Sequence, residues 1–302
     1  MGVRRRSGGP AGTRPAGPVD LAALVRALPD LVAAERLAAA VLHDDPCRLR
    51  HVRTVATVAL VVCEVAPPPD GLDVLLAAAV LHDIGYAPLL RATGFHPLDG
   101  AGWLLALGGP VEVAAAVAHH SEAVLQPGAA PLRERYDALP APDRRAADIL
   151  TYADQTTAPD GRRAGVVARV GERWRRTGAG PRRAEALHRV ERLVLAVAGV
   201  DAALVAAGGR DPSLEAVDDL LVAARPAPGD AALARVLARA RTAVAVTPEA
   251  AVTAVHAARM LAATGIDPRW DDEARTAVRL LAGAGPDAAV TFGPGPAVAV
   301  RG

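Results

Sequence analysis

"AAVLHDIGYAPLL", residues 78–90, decides how this chain is read. Its first half is a run of Ala, Val and Leu, the composition of a buried helix. The run ends in His82 and Asp83, two groups that lose solvation in an apolar interior. An imidazole or a carboxylate buried without a partner costs several kcal/mol. The stretch therefore demands partners from elsewhere in the chain.

Helical periodicity supplies candidates on both sides. His51 lies on a row with Val55, Val58 and Val62, the stripe an amphipathic helix turns toward a core. His82 shares its row with Leu75, Ala78 and Ala79, and His120 with Val113, Ala116 and Val117. Asp154 follows Ala147 and Leu150 on a fourth predicted helix. Four polar residues from four helices thus point toward one interior. Asp83 and His96 stand at helix ends beside them, and His119 adjoins His120. A divalent cation would satisfy the whole group at once. A single inward His is more often a hydrogen-bonded core residue, and the dipeptide His-Asp carries no weight alone. His43-Asp44 is a second copy, placed just before a helix cap at Asp45 and expected in solvent.

The 302 residues allow one large domain or two of about 150. Hydrophobic residues make up 51% of the chain but aromatic ones only 3%. The core must come from Ala, Val and Leu, and Ala and Leu favour helix. All basic residues are arginine, and the net charge of +1 gives no bulk attraction to nucleic acid or to an anionic membrane. Cys47 and Cys63 share one predicted helix and would stand about 24 Å apart. They cannot pair, which fits a reducing, cytoplasmic setting. No stretch reaches the ~20 apolar residues of a membrane span. Residues 1–18, rich in Arg, Gly and Pro, read as a disordered arm without the apolar segment of a secretion signal. Residues 19–200 read as one helical domain. Residues 201–302 read as a further helical region of unknown role, with a boundary signal at "GGRDP" (208–212) and a tail, "VTFGPGPAVAVRG", that is either a short strand or a loose end. His256 and Trp270 there read as packing or surface residues.

Taken in order, His51, His82-Asp83, His119-His120 and Asp154 resemble the ligand series of the HD superfamily of metal-dependent phosphohydrolases. "VLHDIGYAP" is similar to the "LLHDIG" motif common in that family. "TGFHPLDGAGWL" and "YADQTTAPDG" resemble a bacterial subfamily of it. The resemblance implies an all-α fold, an HD-domain helical bundle, to which the amphipathic stretches after residue 200 add C-terminal helices. It implies that His51, His82, Asp83 and Asp154 hold one metal, with His82 and Asp83 at the catalytic centre. His96, together with His119 or His120, is similar to the second-metal ligands of the binuclear branch. Two departures stand out. Tyr86 occupies a position where many members have Lys, and no "GYP" signature follows the paired histidines, which argues against cyclic dinucleotide cleavage.

A donor set of imidazole nitrogens and carboxylate oxygens suits Mn, Fe, Co or Ni, with Zn admissible, as one or two ions. Such ions lower the pKa of bound water and stabilise charge on phosphoryl oxygens. The expected activity is hydrolysis of a phosphate ester or anhydride, with a nucleotide as the expected substrate. Arg50, Arg53 and Arg91 lie near ligands in sequence and are candidates to pair with phosphate, although each alone reads as a solvent-facing arginine. Two alternatives stay open: a mixed-valent di-iron oxygenase with the same ligands, and a non-catalytic nucleotide-sensing domain. The expected partner is a small phosphorylated molecule; no membrane or nucleic-acid partner is expected, and a homo-oligomer is left open.

Overall fold

The computed structural model describes residues 19–68, 70–177, 182–206, 256–258, 260–270, 289–292 and 298–301. The expected N-terminal arm and the boundary signal at 208–212 lie outside them. The described chain is mostly helical. Its helices are α1 (Leu21–Arg26), α2 (Leu31–Val41), α3 (Pro46–Val65), α4 (Leu72–Leu81), α5 (His96–Ala106), α6 (Val111–His119), α7 (Arg133–Asp137), α8 (Arg144–Gln155), α9 (Val166–Thr177) and α10 (Arg183–Ala206). Short 3-10 turns follow α4 and α6.

Aspartates start several of these helices. Asp20, Asp30, Asp45 and Asp143 each accept a hydrogen bond from the amide three residues on, at 2.7–2.9 Å. Each satisfies an amide that has no partner within its helix. Pro46 follows Asp45 at the first position of α3, where its missing N–H costs nothing.

At the centre lies α4, buried without a break from Leu75 to Leu81. It packs against α2, α3, α6 and α8. Ala77, Ala78 and Ala79 are fully buried, and their small side chains let the neighbouring helices come close. The buried rows of α3, Val55, Val58 and Val62, face the same interior. Truncating Leu75 or Leu81 to Ala would cost about 2–5 kcal/mol.

The described residues between 256 and 270 join this core. α10 runs through position 200 without interruption, and Ala257, Met260, Leu261 and Trp270 belong to the same buried cluster as Leu204. His256 Nε2 lies 3.2 Å from Asp201 Oδ2. Trp270 is fully buried, in line with a packing role. Within the tail, β1 (Ala289–Phe292) pairs antiparallel with β2 (Val298–Arg301), Ala289 opposite Arg301 and Phe292 opposite Val298. Among the described residues, no helix is long and apolar enough to cross a membrane.

Candidate metal centre

His51 projects from the second turn of α3. His82 caps the C-terminus of α4, and Asp83 follows it at the head of a 3-10 turn. His96 opens α5, His120 caps the end of α6, and Asp154 lies in the last turn of α8. Asp83 stands in the middle. Its Oδ2 is 3.7 Å from His51 Nε2 and 3.5 Å from His82 Nε2. Its Oδ1 is 3.4 Å from His96 Nε2 and 3.8 Å from His120 Nε2. The donors form two triads, His51-His82-Asp83 and Asp83-His96-His120, which share Asp83. Asp154 adds a carboxylate oxygen 3.3 Å from His51 Nε2.

The rings are fixed by their other nitrogens. His51 Nδ1 bonds the Ala158 carbonyl at 2.9 Å, His82 Nδ1 that of Ala79 at 2.9 Å, and His120 Nδ1 that of Val117 at 2.7 Å. A carbonyl accepts only, so each Nδ1 carries the proton and each Nε2 offers a lone pair to the cluster. Metal-binding histidines are oriented in this way. His82 Nε2 is buried and has no hydrogen-bond partner. A polar atom left in that state costs about 1–3 kcal/mol, and a cation would remove the cost. The residues present therefore fit a divalent metal.

Burial opposes charge on every group here, and the neighbours decide the outcome. At His82 burial wins and lowers the ring's pKa. His120 is pushed down to about 3 by burial, with His82 and His96 adding to the effect. Burial would also raise Asp83, but His82, His96 and Arg48 outweigh it and hold the carboxyl well below the usual range. At Asp154, His51 and His82 overcome burial in the same way. At His51 it is Asp154 that overcomes burial and raises the pKa. Ionised carboxylates thus face His82 and His120 rings that favour the neutral form, the state in which such groups bind metal.

His119 goes elsewhere. α6 ends between the two histidines, so His120 turns into the cluster while His119 packs edge-on against the Tyr136 ring, centroids 5.1 Å apart. The break comes from Ser121 and Glu122, which adopt left-handed φ values of 51° and 52°. Such values are uncommon for residues other than glycine. Arg189 of α10 holds the turn by donating to both carbonyls, at 2.8 and 3.1 Å. The Ser121 hydroxyl is thereby free to donate a short hydrogen bond to Asp154 Oδ2, which also accepts from Gln155 Nε2 at 2.6 Å.

Close backbone packing sets His96. A Cβ on Gly85 would lie 2.0 Å from the His96 carbonyl oxygen, so only glycine lets the turn after Asp83 touch the start of α5. The loop before His96 is tied down by Asp99, whose carboxylate accepts from the amides of Thr93 and Gly94 and from the Thr93 hydroxyl.

Arg50, Arg53 and Arg91 are exposed, and Arg53 pairs with Glu35. The arginine that reaches Asp83 is Arg48. Its Nη1 lies 2.6 Å from Asp83 Oδ2, and its guanidinium stands 4.1 Å over the Tyr86 ring. Tyr86 in turn stacks on His96, centroids 3.9 Å apart. Arg48 precedes His51 by three residues on the same helix face, a spacing that could have pointed to it. No periodic signal marked Ser121, Gln155 or Arg169, whose Nη2 lies 3.7 Å from Asp154 Oδ1.

A buried His/Asp centre thus stands at the meeting point of five helices, with a donor set that could hold a metal ion. Residues 48–158 match the family model of the HD domain. The match begins at Arg48 and ends at Ala158, the acceptor for His51, and so contains both triads. No match was found among curated proteins or among solved structures.

Proposed function

We propose that this chain is a metal-dependent phosphohydrolase acting on a phosphate ester or anhydride, with a nucleotide as substrate. One observation carries the reading: two His-rich triads share Asp83, and three of their rings have Nδ1 occupied so that Nε2 faces inward. His51, His82, Asp83 and Asp154 would hold one ion, and Asp83, His96 and His120 a second. A bound divalent cation supplies an acidified water and offsets charge on the phosphoryl oxygens.

The protein's own side chains supply the rest. Arg48 lies partly exposed at the mouth, anchored by Asp83 and Tyr86, where its planar fork suits a phosphoryl group. It provides positive charge where Tyr86 replaces the lysine of many relatives. Ser121 and Gln155 fix Asp154, so that its Oδ1 is the oxygen turned toward His51.

Phosphate release by protein loaded with Mn, Fe, Co or Ni, measured across a panel of nucleotides and simple phosphate esters, tests the reading. Release that requires metal and disappears in His82→Ala is expected. Oxygen uptake by the iron-loaded protein with no phosphate release would replace hydrolysis by oxygenation. Metal binding with neither reaction would leave a sensor.

A further inference from the structure

A cleft of about 560 Å³ opens between α9 and α10, beside the start of α5. Phe95, Val170 and Trp174 give it an apolar wall, and Gln126, Arg173 and Arg189 give it polar and cationic groups. Among the described residues, no acidic residue lines it. Its size is that of a small-molecule site.

The cleft adjoins the metal centre. Phe95 immediately precedes His96, with ring centroids 6.3 Å apart. Arg173 lines the cleft beside Arg189. Arg189 is locked to the turn that follows His120. The aromatic content is also informative. The chain has only two Phe, three Tyr and three Trp, yet Phe95 and Trp174 line this cleft and Tyr86 stands at the mouth of the metal centre. Arg183 lies 4.9 Å over the Trp174 ring and holds it in place.

We propose that this cleft receives the organic part of the substrate, a flat aromatic group packed on Trp174 and Phe95, while Arg173 directs the attached phosphate toward the metal centre. Cationic and aromatic groups together select an anion with an aromatic body over a bare sugar phosphate. Aromatic stacking supplies the discrimination, since each base stacked on an aromatic side chain contributes about 1–3 kcal/mol. This deepens the phosphohydrolase reading and rests on it for the direction in which the phosphate points.

The test compares adenosine 5′-monophosphate with ribose 5-phosphate, which differ by the base alone, in calorimetric titrations of the metal-bound full chain. The wild type is expected to bind the nucleotide about tenfold more tightly or better. Trp174→Ala should remove most of that advantage and leave ribose 5-phosphate binding unchanged. Trp174→Phe should restore it, which separates stacking from a folding defect. Arg173→Gln should weaken both ligands. Equal affinity of the wild type for the two ligands, no binding of either, or a nucleotide affinity unaffected by Trp174→Ala would overturn the proposal. Failure of the hydrolase reading has a different signature: base-dependent binding persists, but no ester in the panel releases phosphate.

Discussion

The chain carries the His-Asp pair twice, and the two copies share a local structure. His43 Nδ1 bonds the Ala40 carbonyl at 2.9 Å just beyond the end of α2, and His82 Nδ1 bonds the Ala79 carbonyl at 2.9 Å just beyond the end of α4. Beyond that bond they part. His43 and Asp44 have side chains 62% and 87% exposed and meet each other, Nε2 to Oδ2 at 3.1 Å. His82 and Asp83 are 0% and 6% exposed and meet residues from three other helices. The dipeptide and its helix-end bond are therefore common to both. What differs is that α4 lies in the middle of the bundle, so that only the second pair is stripped of water and surrounded by further donors.

Exchanging the aspartates tests this contrast hardest. Asp83→Ala should bring metal content close to zero, because both triads depend on that carboxylate. Asp44→Ala should leave it at the wild-type value. Elemental analysis of the two variants after equal metal exposure decides the matter, and full occupancy in Asp83→Ala would mean that the ions bind elsewhere. The histidines should follow with a similar separation. His82→Ala is expected to abolish turnover, whereas His43→Ala should keep both activity and metal content near wild type. Equal losses would show that burial of the pair does not distinguish them.

The second triad allows a finer division. Wild type should bind close to two ions per chain. His96→Ala and His120→Ala should each lower this toward one, with circular dichroism unchanged. Gly85→Ala should act like His96→Ala, because its methyl group would press on the His96 carbonyl and move the start of α5 away from Asp83. His119→Ala should alter the stoichiometry least, since its ring packs on Tyr136 outside the cluster. A wild-type stoichiometry of one, unchanged by His96→Ala, would leave a single-ion centre, with His96 and His120 recast as substrate contacts.

Much of this was legible in the sequence, and the physical reason is periodicity. The inward direction of His51, His82 and Asp154 follows from helical rows of Val, Leu and Ala, and those rows are buried in the fold except at Ala147, which is half-buried. His120 was harder. Its row pointed inward, but so near the end of α6 that the helix does not contain it, and the choice between His119 and His120 depends on two residues with left-handed φ. Neither Ser121 nor Glu122 advertises such a backbone, as glycine would have. It is held by Arg189, about 70 residues away; contacts of that range leave no local pattern. The arginines show the same limit. Adjacency in sequence favoured Arg50 and Arg53, which face solvent, whereas helical spacing from His51 selects Arg48.

Those arginines give the smallest expected effects and the most delicate comparison. Arg53 pairs with Glu35 across a surface where the two side chains are 49% and 38% exposed. Solvent screens such a pair, and its loss in Arg53→Ala should cost less than ~1 kcal/mol. Arg48 pairs with a carboxylate that is almost completely buried. Without metal it is a principal counter-charge for Asp83, and a hydrogen bond to a charged partner contributes about 1.5–3 kcal/mol. Arg48→Ala should therefore lower the thermal midpoint of the metal-free protein clearly more than Arg53→Ala does. Adding metal should close most of that gap, because the cation supplies the charge that the arginine gave. Thermal melts of both variants, with and without chelator, read the difference directly. If metal leaves the Arg48→Ala deficit untouched, Arg48 and the cation do not neutralise the same carboxylate, and the placement of the ions around Asp83 has to change.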